Sequence, residues 1–209
     1  MKPHIKKVAV LGSGVMGSRI ACHFANIGIP VLLLDIAFPD AKPDDKKSLK
    51  DKLVNNALEA AIKSNPSPIY TKEVVKLITT GNFDDDLAKI NQCDWILEVV
   101  VERLDIKKQL YDRVEQFRKP GTLVTSNTSG IPIHLMAEGR STDFQQHFCG
   151  AHFFNPPRYL RLLEIIPTEK TQKWVIDFLM QYGDLYLGKT TVLCKDTPGF
   201  IANLSLIHV

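Results

Sequence analysis

A glycine-rich turn near the beginning of the chain joins an apolar run to an amphipathic segment, an arrangement that few folds contain. The run Val8–Leu11 has the composition of a buried strand, and the turn Gly12–Gly17 (GSGVMG) follows it directly. The pattern then predicts a helix to about Ile27 and a second strand over 31–34 that ends in Asp35. A strand, a GxGxxG turn, a helix and a strand ending in an acid are typical of a βαβ unit that binds a dinucleotide.

Each glycine of the turn has its own expected role. Gly12 would permit the tight turn out of the strand, and Gly14 would let a pyrophosphate approach the backbone. Gly17 would let the helix press against the sheet. The pyrophosphate would then lie on the free N–H groups where the helix begins, at Val15 and Met16.

The acid at the end of the second strand indicates which dinucleotide is bound. Asp35 would accept hydrogen bonds from the adenosine ribose and would repel a 2′-phosphate, so the cofactor is expected to be NAD rather than NADP. The alternative is a glycine turn in an α/β protein that binds no dinucleotide.

Composition and charge narrow the class of protein further. The 209 residues are 44% hydrophobic and 23% charged, which is enough to bury the core of one large domain. A net charge of +3, from 26 basic and 23 acidic residues, gives no case for binding nucleic acid or a membrane.

The four cysteines lie far apart with no CxxC pair, so neither a metal site nor a disulfide framework is indicated. The first strand begins too close to Met1 for a signal or transit peptide, and cytoplasm is the expected location.

Strand and helix patterns alternate along the chain, which predicts an α/β fold of the Rossmann type with a doubly wound, mostly parallel sheet. After the second strand we expect a helix–turn–helix insertion, at about 40–77, that stands off the sheet. Its first helix (about 46–63) would bury Leu49, Leu53, Ala57, Ala60 and Ala61. Further strands are predicted at 78–80, 95–101, 122–127, 148–154, 160–166 and 190–194, and further helices at 84–90, 106–117 and 170–182.

Polar residues follow several predicted strands at the edge where such sheets bind ligands. His152 lies at the end of an apolar strand, and Glu164 lies within the next one. A carboxylate in so apolar a strand is costly to bury unless it is paired, and an imidazole is a natural partner. The two could form a dyad in which Glu164 orients His152 as a general base. The alternative is a core histidine and a glutamate exposed on an edge strand.

Five motifs in order along the chain resemble the 3-hydroxyacyl-CoA dehydrogenases, over about residues 5–203. A further run, 155–160 (NPPRYL), resembles the long bacterial β-oxidation proteins in which this dehydrogenase is fused to an enoyl-CoA hydratase region. The five motifs are the turn GSGVMG (12–17), EVVVE (98–102), SNTS (126–129), GAHFFNP (150–156) and KDTPGF (195–200).

The resemblance implies NAD-dependent oxidation of the 3-hydroxyl of a 3-hydroxyacyl-CoA to 3-oxoacyl-CoA, as in fatty-acid β-oxidation. It implies that His152 is the base and Glu164 its orienter, and that Ser129 binds the substrate oxygen near the nicotinamide. Asn203 would help to fix the substrate. Cofactor contacts are implied for Glu102, Lys107 and Asn155, and the insertion would contact CoA, with Lys63 the nearest lysine to the expected position.

The resemblance also carries expectations about domains and assembly. Residues 1–197 would form the NAD-binding domain, and 198–209 would begin a truncated helical domain that in the family completes the acyl pocket and forms the dimer. We therefore expect a homo-oligomer when that domain is present, and feeble or no turnover by this chain alone. Two alternatives remain open. One is a non-catalytic dinucleotide-binding module, and the other is a different hydroxyacid dehydrogenase that uses a lysine base.

Overall fold

The computed structural model describes residues 4–197 and 199–201. Within them, one sheet contains eight strands, which are β1 (Val8–Leu11), β2 (Val31–Asp35), β3 (Ile78–Asn82), β4 (Trp95–Glu98), β5 (Leu123–Ser126), β6 (Phe148–Phe153), β7 (Leu162–Pro167) and β8 (Thr190–Leu193). Their order across the sheet is β3-β2-β1-β4-β5-β6-β7-β8. Neighbouring strands are parallel except β6 and β7, which pair antiparallel.

Helices cover both faces of this sheet, so the predicted Rossmann-type, doubly wound fold is confirmed. The α-helices are α1 (Val15–Asn26), α2 (Lys47–Lys50), α3 (Lys52–Lys63), α4 (Phe83–Asp86), α5 (Leu104–Phe117), α6 (Ile133–Ala137), α7 (Thr142–Gln146) and α8 (Lys173–Leu185), and 3-10 turns cover Lys72–Leu77 and Leu87–Gln92. On one face of the sheet lie α1, α3 and α8, and on the other lie α5, α6 and α7.

The central strands are buried on both sides because both faces are covered. In β1, Val8 and Val10 belong to the core under α1, whereas Ala9 and Leu11 belong to the core on the opposite face. The ring of Phe24 on α1 meets the ring of Trp95 on β4 edge to face, 5.2 Å apart. These contacts fix the helix that follows the glycine turn against the middle of the sheet.

The helical insertion differs from its prediction in three ways. Asp51 separates α2 from α3, and its buried carboxylate accepts a hydrogen bond from the Asn82 side chain at 2.7 Å. The buried face consists of Val54, Leu58 and Ala61, whereas Leu49 and Ala60 are exposed. The insertion also packs against α1 and the β2–β3 edge, so the expectation that it stands off the sheet is wrong.

Three other predicted elements are shifted. The strand predicted over 95–101 ends at Glu98, where its neighbours β1 and β5 also end, and Val101 is exposed. Helix α5 buries Lys107 and Tyr111 beside its apolar residues, while Phe117 is exposed. Helix α8 runs over 173–185 instead of 170–182, and it exposes Trp174, one of the residues expected to face partly inward.

Two predictions fall outside the described residues. They are the beginning of a helical domain at 198–209, of which 199–201 alone are described, and the site residue Asn203. Within the described part of the chain, no helix has both the length and the apolar character needed to cross a bilayer.

Candidate active site

The glycine turn leaves β1 and enters α1 in a conformation that side chains would obstruct. Gly12 has a φ of +106°, and a Cβ there would lie 2.6 Å from the carbonyl oxygen of Val99. A Cβ on Gly17 would lie 1.8 Å from the carbonyl oxygen of Gly12. A Cβ on Gly14 would meet no atom within 4 Å. Gly12 and Gly17 therefore permit close packing inside the protein, whereas Gly14 presents open backbone to an approaching ligand.

The beginning of α1 suits an anion. The first turn carries no acidic residue, and no side chain among the described residues caps it. Val15 is exposed and Met16 half-buried, so the backbone N–H groups of this turn lie at the surface. Uncapped N–H groups and the helix dipole together favour a phosphate at this position.

Asp35 lies at the end of β2 beside the turn. Its Oδ2 accepts hydrogen bonds from the backbone N–H and the hydroxyl of Ser13, both at 2.6 Å, and its Oδ1 accepts from the N–H of Ile36 at 2.7 Å. Ser13 therefore fixes the carboxylate next to the turn, a partner that the motif did not predict. The carboxylate has further lone pairs with which to accept ribose hydroxyls, so the residues present fit an adenine dinucleotide.

The strand order of the sheet places the glycine turn close to the polar residues that follow β4, β5 and β6. Strands β2 and β3 lie on one side of β1, and β4, β5 and β6 lie on the other, so the strand order reverses between the parallel strands β1 and β4. In such sheets ligands bind in the crevice outside that point. Gly12 packs directly on Val99, the residue after β4. The loops that follow β4, β5 and β6 extend from the same edge.

His152 and Glu164 are cross-strand partners in the antiparallel pair β6–β7. Nδ1 of His152 lies 2.8 Å from Oε2 of Glu164, and both residues are buried. A carboxylate can only accept, so Nδ1 carries the proton of this hydrogen bond and Nε2 is left as the basic nitrogen. The hydroxyl of Ser129 lies 3.1 Å from Nε2. The structure thus brings together the three residues to which the resemblance assigned base, orienter and substrate contact.

Residues of the segment after β8 contact both His152 and Glu164. The N–H of Ile201 donates to Oε1 of Glu164 at 3.1 Å, so the second carboxylate oxygen is also held. The ring of Phe200 lies 5.9 Å from that of His152, and the ring of Phe154 lies 4.5 Å from it. Burial, with the Glu164 charge as a further cause, raises the pKa of the Cys194 thiol to about 12, so this neighbour stays neutral.

Glu102 holds the loop that carries Ser129. Its Oε1 accepts from the backbone N–H groups of Ser129 and Gly130, both at 3.0 Å, and from the hydroxyl of Thr128. Partial burial raises the pKa of Glu102, but these hydrogen bonds and the Lys107 charge outweigh it and hold the pKa below its usual value. Glu102 is consequently ionised at neutral pH.

Lys107 lies in a buried network that the motifs did not reveal. Its ammonium is 2.7 Å from Oε1 of Glu98, and the side chains are 1% and 0% exposed respectively. The other oxygen of Glu98 accepts from Tyr111 at 2.9 Å and from Ser126 at 2.6 Å. In this arrangement Lys107 is a counter-ion inside the protein, and its contact with a cofactor stays a prediction. The spacing of the apolar residues in α5 does not reveal this role, because Lys107 and Tyr111 lie at positions that the spacing assigns to the exposed face of the helix.

Two other predicted site residues, Asn155 and Lys63, are exposed. Asn155, three residues after His152, is exposed and accepts from the guanidinium of Arg19 on α1 at 2.7 Å. Lys63, at the end of α3, is exposed and pairs with Glu59. Their contacts with cofactor and CoA stay predictions.

Within the described residues, no group of three acidic, histidine or cysteine side chains is arranged to hold a metal ion.

Comparison with known proteins shows the family to which almost the whole of this chain is similar. Residues 7–197 match the family model described as 3-hydroxyacyl-CoA dehydrogenase, NAD binding domain. Among curated relatives, a probable 3-hydroxyacyl-CoA dehydrogenase of Bacillus subtilis is 51% identical, over 97% of this chain and 27% of its own length. A putative fatty acid oxidation complex trifunctional enzyme of Rickettsia felis is 43% identical, with the same coverage of 97% and 27%. The chain therefore spans about a quarter of the length of these two relatives.

A solved structure supports the same assignment. The (S)-3-hydroxybutyryl-CoA dehydrogenase of Ralstonia eutropha is 25% identical and superposes with a TM-score of 0.76, over 97% of this chain and 68% of that one.

Proposed function

Because the chain belongs to the NAD-binding domain family of the 3-hydroxyacyl-CoA dehydrogenases, we propose that it carries the redox site for oxidising the 3-hydroxyl of a 3-hydroxyacyl-CoA to the 3-oxo group. The reaction is a step of fatty-acid β-oxidation. One observation carries the proposal. The ring of His152 lies between Glu164 and the hydroxyl of Ser129, at the edge of the sheet that also carries the glycine turn.

The cofactor is held by the first βαβ unit in this proposal. The backbone at Gly14 and the beginning of α1 hold the pyrophosphate, and Asp35 holds the adenosine ribose. NAD⁺ bound there supplies the hydride acceptor for C3 of the substrate. Asn155 lies at the mouth of the same crevice and contacts the cofactor, as the resemblance implies.

His152 moves the proton. Its Nε2 takes the proton of the 3-hydroxyl as the C3–H bond breaks, and the oxygen becomes the 3-oxo group. Glu164 keeps Nδ1 protonated and stabilises the imidazolium that forms, since its charge lies 2.8 Å away. Ser129 donates a hydrogen bond to the same substrate oxygen, because its hydroxyl already lies beside Nε2. In the reverse direction His152 returns the proton to the 3-oxo oxygen.

Two alternatives predict different behaviour. A non-catalytic dinucleotide-binding module would bind NADH without any need for the His152 cluster. A dehydrogenase that uses a lysine base would not depend on His152 either. His152 and Glu164 are buried, whereas Ser129 is exposed. A base that is held by a buried carboxylate and has its other ring nitrogen beside an exposed hydroxyl has the geometry of a general-base site, which favours the catalytic interpretation.

The test compares the chain with its His152→Gln variant. We expect at most feeble acetoacetyl-CoA-dependent oxidation of NADH by the unsubstituted chain, and a loss of about 10²–10⁴-fold on substitution, the usual contribution of a general base. The dissociation constant for NADH should stay nearly unchanged. Equal turnover per folded molecule in the two proteins would overturn the proposal and leave His152 a core residue.

Location and assembly complete the proposal. The four cysteines are free and buried, which suits a reducing compartment, and we place the protein in the cytoplasm. Leu193 and Ile201 expose large apolar side chains at the end of the described chain, which suits a homo-oligomer formed with the helical domain of the family.

A further inference from the structure

Glu102 lies in the loop after β4, where family resemblance predicts a cofactor contact, but its hydrogen bonds point to the opposite loop. One oxygen of its carboxylate gathers three donors from three consecutive residues, Thr128, Ser129 and Gly130. Three donors on one carboxylate oxygen fix a short loop far more firmly than a single contact does. The middle residue of the three is the serine whose hydroxyl faces His152.

A second carboxylate holds the beginning of the same loop. Buried Glu98 accepts from the hydroxyl of Ser126, and that hydroxyl in turn accepts from the N–H of Thr128 at 3.2 Å. The backbone N–H of Asn127 donates to the carbonyl oxygen of Glu98 at 2.8 Å. The loop over 126–130 is therefore held at its first residues by Glu98 and at its last residues by Glu102.

Lys107 joins the two carboxylates. Its ammonium lies 2.7 Å from Glu98 and 3.4 Å from Oε2 of Glu102, and it is buried. A cation between two carboxylates offsets their mutual repulsion while they hold one loop. Lys107 thus contacts one carboxylate oxygen of Glu102, and Ser129 donates to the other.

We propose that Glu102, with Lys107 behind it, is a positioning residue that fixes the hydroxyl of Ser129 opposite Nε2 of His152. The catalytic importance of that contact rests on the proposed function, but the contact itself can be measured without turnover. Removal of Glu102 releases the N–H groups of Ser129 and Gly130, and Ser129 then leaves His152. The affinity for NADH does not depend on this role.

The experiment measures the ¹⁵N chemical shift of Nε2 of His152 in histidine-labelled full chain, with the signal assigned from the His152→Gln variant. Ser129→Ala defines the change that loss of the hydroxyl produces. Glu102→Ala should move the signal in the same direction by at least half as much, and the double variant should move it no further than Ser129→Ala. Glu102→Gln should stay near the unsubstituted chain, because the amide oxygen can still accept from the two N–H groups.

The matched control is Asp105→Ala, which removes a negative charge three residues away. Asp105 is exposed and pairs with Arg103, so the His152 signal should stay in place. NADH titration of each variant is the second readout. An unmoved His152 signal in Glu102→Ala would overturn the inference, and a large loss of NADH affinity in that variant would assign Glu102 to the cofactor instead. Failure of the proposed function appears separately, as turnover that is equal in the unsubstituted chain and in His152→Gln.

Discussion

The glycine turn and the His152 cluster lie at the same edge of the sheet, but they are assembled in different ways. Every residue of the turn and its acid lies within 8–35, so one βαβ unit builds that half of the site. The cluster joins Glu98, Glu102, Ser129, His152 and Glu164, which come from three strand ends and an antiparallel partner. The glycine turn with Asp35 is a contiguous region, and its geometry depends on local backbone conformation. The His152 cluster is an assembled region, and its geometry depends on strand register and on buried charges. Substitutions in the two regions should therefore fail in different ways.

The largest difference is expected within the glycine turn. Gly17→Ala places a Cβ 1.8 Å from a backbone oxygen that cannot move aside without opening the turn, so we expect it to destabilise the fold by more than ~3 kcal/mol. Gly14→Ala meets no atom within 4 Å, so its unfolding midpoint should stay close to that of the unsubstituted chain while NADH affinity falls. Urea unfolding and NADH titration measure both effects. Equal stability of the two variants would show that the turn tolerates the contact.

The next effect is expected in the assembled region. Glu164→Gln keeps an oxygen that can accept from Nδ1 but removes the charge that would stabilise the imidazolium, so turnover should fall. We expect a loss of about 10–100-fold, the range known for carboxylates that orient a metal-binding histidine. The loss should be smaller than in His152→Gln, and NADH affinity should not change. Glu169→Gln, at an exposed position beyond β7, is the control. A Glu164→Gln chain with full turnover would remove Glu164 from the mechanism.

Cofactor choice should respond to the contiguous region alone. Asp35→Ser with Ile36→Arg removes the ribose acceptor and adds a cation at an exposed position, so the ratio of NADPH to NADH affinity should rise by roughly tenfold or more. Ile36→Arg alone separates the added charge from the lost carboxylate. An unchanged ratio in the double variant would show that Asp35 does not hold the ribose.

The smallest expected effect concerns the last turn of α1, where it contacts the segment between α8 and β8. His23 on α1 contacts the carbonyl oxygen of Leu187, and burial, aided by the Lys189 charge, lowers the pKa of His23 to about 4. The folded chain then keeps this imidazole neutral while the unfolded chain protonates it below about 6.5. Stability should fall as pH decreases from about 6.5 towards 4, by roughly 1 kcal/mol between pH 7.5 and 5.5.

Urea unfolding at the two pH values measures this loss, and His23→Gln should remove most of it. A His23→Gln chain that loses as much stability as the unsubstituted chain would assign the pH dependence to other groups.

The glycine turn and the His152 cluster also differ in how much of each could be predicted from the sequence. The turn, Asp35 and the parallel sheet could be read from local patterns, because strand periodicity and glycine chemistry are local properties. The contact of His152 with Glu164 was predicted as an alternative to a core histidine, and the register β6–β7 then placed the two opposite each other. The buried pairing of Lys107 with Glu98 was missed, because a lysine in a helix reads as a surface residue until its tertiary partner is known. The buried face of α3 was misplaced by one position, because alanines occur on both sides of that helix.

The central claim is that the two regions form one site in which hydride passes between NAD and C3 of a thioester substrate. Incubating the chain with NADH deuterated at C4 and acetoacetyl-CoA, then measuring the product by mass spectrometry, tests it most directly, since slow transfer also accumulates label. The account predicts 3-hydroxybutyryl-CoA with deuterium on C3, and far less label with His152→Gln at equal NADH occupancy. An NADH-saturated chain that leaves the substrate unlabelled would contradict the account.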